Sequence, residues 1–210
     1  MIRKNGLSYH DKMKALIEGW RKTWNQNLPF YFVQIAPWSG GGYAPGQLPS
    51  LWEAQVASLK IPDTGMAVIT DLVDNIGDIH PRNKLDVGNR LARWALAKSY
   101  DRKLVYSGPL YKSMEIEGSK VRLSFAHAAG LQSRDEKPLT EFQVAGKDGR
   151  FVNAIAEIDG DTISVSAEGV PSPEHVRFGW HKLTKPNLVN EAGLPASPFQ
   201  TNNWQGGTGE

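Results

Sequence analysis

The chain has 210 residues, of which 40% are hydrophobic and 22% are charged, and its formal net charge is +2. This balance is typical of a globular protein that buries a core in one large domain or two small ones. The small net charge and the absence of like-charged blocks argue against nucleic acid or a membrane as a partner. The lack of cysteine excludes disulfides, thiolate metal sites and a cysteine nucleophile. The first residues carry no apolar segment behind their charges, so the sequence predicts no secretory signal there and leaves the compartment open.

Helical and strand-like patterns alternate along residues 1–102. Pro81 suits the first position of a helix, because its missing N–H would have no partner there. The alternating order is typical of a doubly wound α/β sheet, but two parallel strands are too few to stand alone. Residues 1–102 therefore predict an incomplete sheet of this kind. The predicted segments are a helix over 8–25, a strand over 30–36, a helix over 50–59, a strand over 65–70 and a helix over 81–99. Apolar side chains predicted to face inward from the helices are Met13, Leu16, Ile17, Trp20, Trp24, Leu51, Trp52, Val56, Leu85, Leu91, Ala92 and Ala95.

The pattern changes at about residue 103. Short segments alternate apolar and polar residues, and turn signals such as Asp159-Gly160-Asp161, which predicts a tight hairpin, separate them. Residues 103–204 therefore predict an antiparallel β-sandwich, and residues 205–210 a polar, glycine-rich, flexible tail. The predicted strands are Val121–Phe125, Phe142–Val144, Ala154–Ile158, Thr162–Val165 and Val176–Trp180.

One loop, residues 71–81, combines several acids with a histidine between the second strand and the third helix. In open α/β folds, ligands and catalytic groups gather at the carboxyl ends of the strands, where this loop lies. His80 beside a carboxylate suits a general base, since imidazole accepts a proton near neutral pH and the carboxylate fixes its tautomer. Two other interpretations stay open: an ordinary surface loop with solvated acids, and a metal site. The hard ligands of such a metal site would be Asp71, Asp74, Asp78 and His80.

Segments along nearly the whole chain resemble, in order, one known family. The most specific are Gly77-Asp78-Ile79-His80-Pro81-Arg82-Asn83-Lys84 and Val87-Gly88-Asn89-Arg90-Leu91-Ala92. They resemble the catalytic-histidine block of the sialate O-acetylesterases, which belong to the SGNH hydrolase superfamily. The resemblance implies a flavodoxin-like SGNH-hydrolase sheet and an esterase that removes O-acetyl groups from sialic acid or a related carbohydrate without a cofactor. Further matching segments are 16–21, 32–37, 51–55, 106–109, 176–180, 187–190 and 193–199.

The same resemblance implies roles for individual residues. By position, His80 is the general base that activates a serine for attack on the acetyl carbonyl. The usual superfamily pattern places the orienting aspartate three residues before the histidine, but this chain has Gly77 there. Asp78 is therefore the first choice as orienting acid and Asp74 the second, and no metal is expected. Two residues in or beside a matching segment are predicted to bind substrate: Gln34 and Trp38.

The serine nucleophile of the family is not found in this chain. The glycine-and-serine block, and the blocks that help form the oxyanion hole, are expected upstream of Met1. Ser133 and Ser39 have no strand-to-helix setting and are predicted to be ordinary loop serines. The sequence thus predicts the histidine-bearing C-terminal half of an esterase, inactive or weakly active alone. The N-terminal half would be lost or present as a separate chain.

The competing hypothesis is a non-catalytic carbohydrate-binding module. Four aromatic side chains offer stacking faces for sugars, although packing in the core or between domains is their simpler role. Arg177 and Arg21 are candidates for bidentate bonds to a sialate carboxylate, and an ordinary salt bridge is the simpler role for each. The family resemblance also suggests a periplasmic or secreted protein. The four aromatic residues are Trp38, Tyr43, Trp180 and Trp204.

Overall fold

Three α-helices and two strands build the first part of residues 8–202, the range that the computed structural model describes. Their order is the predicted one, and both strands end earlier than predicted. Trp204 and the predicted tail lie outside the described residues. The helices are α1 (Ser8–Trp24), α2 (Gln47–Ala57), extended by a 3₁₀ turn (Ser58–Lys60), and α3 (Lys84–Lys98). The strands are β1 (Phe30–Val33) and β2 (Thr64–Ala67).

The two strands form a parallel pair, in register from Phe30 with Thr64 to Val33 with Ala67. Successive side chains of a strand point to opposite faces, so helices can cover both. Phe30 packs in one cluster with Met13 and Ile17 of α1, while Tyr31 packs in another with Trp94 of α3. Gly65 is required in β2 because the Trp94 indole occupies the space of a side chain there.

Several predicted details of the helices are wrong. Leu16, Trp20 and Trp24 are 43%, 48% and 53% exposed, and the fully buried side chains of α1 are Met13 and Ile17. The third helix begins at Lys84 rather than Pro81, since the side chain of Asn83 accepts the N–H of Asp86 at 3.0 Å and caps the helix.

The core-facing side of α3 also differs from the prediction. Leu85 is 74% exposed and Ala92 is exposed, whereas Arg90 and Trp94 are buried. The helical spacing of apolar residues correctly predicted a helix here, but it predicted the wrong buried face.

The second part is built almost entirely from antiparallel strands, as predicted. The tight hairpin at residues 159–162 is confirmed. The strands are β3 (Leu110–Glu117), β4 (Lys120–Ala126), β5 (Gln132–Ser133), β6 (Phe142–Ala145), β7 (Val152–Asn153), β8 (Ile155–Asp159), β9 (Thr162–Ser166), β10 (His175–Phe178), β11 (Leu188–Val189) and β12 (Phe199–Gln200). They form two four-stranded sheets, in the orders β3-β4-β9-β8 and β12-β10-β6-β7, and the short pair β5-β11.

The two four-stranded sheets share one hydrophobic core. Leu123 and Ile163 from the first sheet lie in the same buried cluster as Phe142 and Phe178 from the second. Phe199 adds a stacked ring over Tyr111, with centroids 4.6 Å apart. Alternating side chains of both sheets supply this cluster, which explains why period-two patterns predicted most of these strands.

Side chains and backbone join the two parts directly. Gln34, just after β1, donates to the Ser197 hydroxyl at 2.9 Å. Gln200 of β12 donates to buried Glu53 of α2 at 3.2 Å. Gly108 lies so close to the backbone of Pro195 that any side chain at position 108 would collide with it. No helix within residues 8–202 is both long and apolar enough to cross a membrane.

Candidate active site

The acidic loop begins at a buried ion pair between Asp71, after β2, and Arg90 of α3. The guanidinium donates two parallel hydrogen bonds of 2.6 Å to the carboxylate, and these side chains are only 8% and 11% exposed. Arg90 also donates to the carbonyl of Val68 at 2.7 Å. One rigid fork therefore ties the end of β2, the start of the loop and α3 together.

Asp78 and His80 form a pair near the end of this loop. The Asp78 carboxylate accepts the His80 backbone N–H at 2.9 Å and lies 3.2 Å from Nδ1 of the imidazole. The pKa of Asp78 is lowered, chiefly because the His80 backbone N–H donates to the carboxylate, with smaller effects of the imidazole and of Arg82. An ionised carboxylate only accepts, so Nδ1 of a neutral imidazole carries the proton and Nε2 keeps its lone pair. Nε2 is then the atom able to take a proton.

The other acids of the loop point elsewhere. Asp74, the second choice as orienting acid, lies 3.6 Å from Arg82 in an exposed ion pair. Asp71 is held by Arg90, so the four candidate metal ligands do not converge. Across the described part of the chain, no three His, Asp or Glu side chains stand together as metal ligands.

The loop at residues 38–43 packs against the acidic loop. Trp38 is half-buried and donates its indole N–H to the carbonyl of Gly77 at 3.1 Å. The Ser39 hydroxyl donates to the carbonyl of Ile76 at 3.0 Å, next to the histidine-bearing segment. Lys182, from the second part, donates to the carbonyl of Tyr43 at 2.7 Å. The predicted substrate-binding residue Trp38 therefore borders the loop that carries His80.

Gln34, the other predicted substrate-binding residue, is fully buried. Its amide nitrogen donates to Ser197, whereas its carbonyl oxygen is buried without a partner in the described structure. Buried amide oxygens normally find a donor, so this acceptor is an unusual feature of the carboxyl edge of β1. Thr70, beyond β2, has a buried hydroxyl in the same condition.

The two arginines weighed for sugar binding do not form ordinary salt bridges with any described residue. Arg21 donates to the carbonyls of Leu28 and Pro62, at 3.0 and 2.8 Å. Arg177 donates to the Gln143 side chain at 2.7 Å. Within residues 8–202, the polar contacts of both arginines are therefore hydrogen bonds to uncharged groups.

Sequence reasoning missed Arg90 and Lys182. A signal for Arg90 existed, since it lies four residues before Trp94 on one helix face and belongs to the second segment of the histidine block. Lys182 offered no local signal, because its contacts reach back to residues 39–43 across the whole chain.

A pair of parallel strands, followed by a loop that carries a histidine–carboxylate pair and joined to an antiparallel β part, makes the chain a mixed α/β protein. No protein-family model matches the chain. Sialate O-acetylesterases match it. The rat protein is 33% identical over 143 residues, which make up 59% of this chain and 26% of the rat protein. The human protein is 32% identical over 156 residues, which make up 65% of this chain and 30% of the human protein. The crystal structure of a carbohydrate acetylesterase from Xanthomonas citri matches with a TM-score of 0.91 and 39% identity, covering 97% of this chain and 48% of that one. The chain is therefore similar to one part of the sialate O-acetylesterases and of this carbohydrate acetylesterase. It spans about half of the solved relative and less than a third of these curated relatives.

Proposed function

We propose that this chain carries the histidine-bearing part of a serine carboxylic-ester hydrolase that removes O-acetyl groups from sialic acid or a related carbohydrate. The Asp78–His80 pair at the carboxyl end of the parallel strands carries the proposal. The names of the relatives, sialate O-acetylesterase and carbohydrate acetylesterase, support the class of ester.

The pair supplies the proton transfers of such a reaction. As a serine oxygen bonds to the acetyl carbon, Nε2 of His80 takes the hydroxyl proton, and it returns this proton to the sugar oxygen when the ester bond breaks. A water molecule then attacks the acetyl-serine by the same route and releases acetate. Asp78 stays ionised throughout, holds the imidazole by Nδ1 and stabilises its charged form.

We place the nucleophilic serine on a further segment, either of a longer chain or of a separate polypeptide. Within residues 8–202, His80 makes side-chain hydrogen bonds only to Asp78, and Ser39 is engaged by Ile76. Such a segment would add strands beside β1 and complete an SGNH-hydrolase sheet over residues 1–102, ahead of a β-sandwich over 103–204.

Two exposed apolar stripes support this assembly. β1 pairs with no described strand except β2, so its other edge is open. Helices α1 and α3 flank the pair from opposite faces and leave large apolar side chains in solvent, which is typical of surfaces that pack against another element. These side chains are Leu16, Trp20 and Trp24 near β1, and Leu85, Leu96 and Tyr100 near α3.

A chimera tests the proposed function. The matched half of the Xanthomonas citri acetylesterase is replaced by residues 1–210, and acetate release from an O-acetylated sialic acid is measured. We expect turnover that falls by roughly a thousandfold or more in His80→Ala, because the base and nucleophile act as a unit. Asp78→Asn should lose on the order of a hundredfold or more, since an amide no longer enforces the tautomer.

The matched control is Asp74→Asn, which removes an acid of the same loop that contacts Arg82 instead of His80. It should retain turnover within a few-fold. Turnover that survives His80→Ala in the chimera would contradict the proposed base. Turnover by the 210-residue chain alone, dependent on His80, would contradict the separate nucleophile, and Ser39→Ala would then be measured.

A carbohydrate-binding module without catalysis is the second candidate. The cavity lined by Trp180 favours it, because this cavity lies in the β part and His80 does not line it. Sugar binding by a chimera that releases no acetate would support this alternative.

A further inference from the structure

Four polar side chains form a row across the outer face of the sheet β12-β10-β6-β7. The strand register places Gln143 between Asn153 and Arg177, and Arg177 beside Gln200. Neighbouring residues of the same strands, such as Val176, point into the core, so this row points away from it. Polar residues are ordinary on the outer face of an antiparallel sheet, so the feature that calls for an explanation is the half-buried arginine within this row.

Contacts with Gln143 and Phe151 fix the orientation of the Arg177 guanidinium. Gln143 donates to Asn153 at 3.1 Å through its nitrogen and accepts from Nε of Arg177 at 2.7 Å through its oxygen. The Phe151 ring lies against one face of the guanidinium, 4.2 Å from its carbon. One edge and one face are therefore occupied, and the remaining edge carries the two terminal nitrogens, Nη1 and Nη2.

This half-buried cation makes no ion pair with any residue from 8 to 202. Burial lowers the pKa of Arg177, which reflects lost hydration without a compensating carboxylate. Arginine stays charged in proteins, so the uncompensated charge favours an external anion. A planar guanidinium with both terminal nitrogens available matches the two oxygens of a carboxylate.

Arg177 lines a cavity of about 520 Å³. Trp180 and His181 line it as well, and Trp180 is half-buried with a ring suited to a sugar face. Glu141, also in the lining, accepts the Thr184 hydroxyl at 2.9 Å and forms no ion pair with Arg177. The lining thus combines one unpaired cation, aromatic surface and several hydrogen-bonding groups.

We propose that this cavity is a binding site for a carboxylate-bearing sugar, with the carboxylate on Nη1 and Nη2 of Arg177 and the sugar ring beside Trp180. Gln143 is a positioning residue, because it acts only by fixing the guanidinium. The site does not rest on the proposed esterase function, since His80 and Asp78 take no part in it.

Calorimetric titration of the 210-residue chain tests the site. The probes are the methyl glycoside of N-acetylneuraminic acid, glucuronic acid and, as the neutral comparison, methyl galactoside. At least one acidic sugar should bind roughly tenfold to a hundredfold more tightly than the neutral one, the range expected for a charge-assisted bidentate contact. Which acid binds distinguishes a sialic acid site from a uronic acid site, and either result supports the proposal.

Variants locate the bound carboxylate. Arg177→Met should lose this preference, and Arg177→Lys, which keeps the charge but not the planar fork, should lose at least about tenfold in affinity. Arg102→Met removes an arginine from an exposed position outside the cavity and should bind like the unmodified chain. His80→Ala should also bind unchanged.

Three results would overturn the site: equal binding of neutral and acidic sugars, full affinity in a folded Arg177→Lys variant, or loss of binding in His80→Ala. The last would place the ligand at the candidate active site. Near-ultraviolet circular dichroism of each variant establishes that it is folded before titration.

Discussion

Two buried asparagines take the place of regular secondary structure where segments of the β part cross. Asn190 donates to the carbonyls of Ser107 and His127, at 2.9 and 3.2 Å, and accepts the N–H of Leu194 at 3.2 Å. Asn187 joins another group of segments in the same manner. Side-chain amides can satisfy backbone groups that no strand ladder reaches, so these two residues determine how the loops meet.

Replacing Asn187 by alanine should lower the free energy of unfolding by about 2–4 kcal/mol. Its oxygen accepts the N–H and hydroxyl of Thr140, and its nitrogen donates to Ser133, Asp135 and the carbonyl of Pro138. Alanine would leave several of these groups without a partner. Urea unfolding measures the change, with Asn89→Ala on an exposed position of α3 as the control, expected within about 0.5 kcal/mol. Equal stabilities of the two variants would contradict this role.

At the scale of elements, the sequence predicts those with a sustained period and misses those without one. The hairpin of β8 and β9 alternates clearly, whereas most of β3 is exposed and lacks alternation. Strands of two residues, such as β5 and β12, are too short for any period and exist only through their partners. The buried face of a helix also depends on what covers it, which explains the error at Trp20 and Leu85.

One contact of the candidate site could be predicted from the sequence, and another could not. The Asp78–His80 contact joins residues two apart, so a local motif was sufficient to suggest it. The pair Asp71–Arg90 joins residues nineteen apart on two elements, and only the packed fold brings them together. Local chemistry was therefore predictable, while the anchor that supports it was not.

Arg90→Met tests this anchor between β2, the acidic loop and α3. Removing the guanidinium leaves the buried Asp71 carboxylate with only the longer contact to the half-exposed Arg134, at 3.9 Å, so the free energy of unfolding should fall by about 3–5 kcal/mol. Arg82→Met, at the exposed pair with Asp74, makes the same substitution and should cost at most about 1 kcal/mol. Denaturant unfolding compares the two. If both variants lose the same stability, the buried pair is not an anchor.

For the whole molecule, acid stability should depend measurably on Asp135. Hydrogen bonds, first from Asn187 and then from Ser133, lower the pKa of Asp135 from 3.8 to about 2. A carboxylate whose pKa is lower in the folded state stabilises the fold above its unfolded value, and this contribution is lost as pH falls towards the folded value. Asp135→Asn should therefore be less stable than the unmodified chain near neutral pH, with a difference that shrinks between about pH 4 and pH 2. Thermal unfolding measures this stability difference between the two chains. A difference that does not change with pH would contradict the proposed contribution of the ionised Asp135 carboxylate.

The exposed apolar stripe of α1 should govern how the isolated chain behaves in solution. Leu16 and Trp24 are exposed on α1, the helix that packs against β1, so two copies of the chain can cover them by self-association. Replacing both by glutamate should shift sedimentation across a dilution series towards the monomer, because two charges oppose burial of this face. Leu183→Glu, an exposed leucine of the β part, is the matched control and should leave sedimentation unchanged. An unmodified chain that is monomeric at every concentration would contradict the expected self-association. Equal dissociation of the Leu183→Glu variant would indicate that the chains associate through the β part instead.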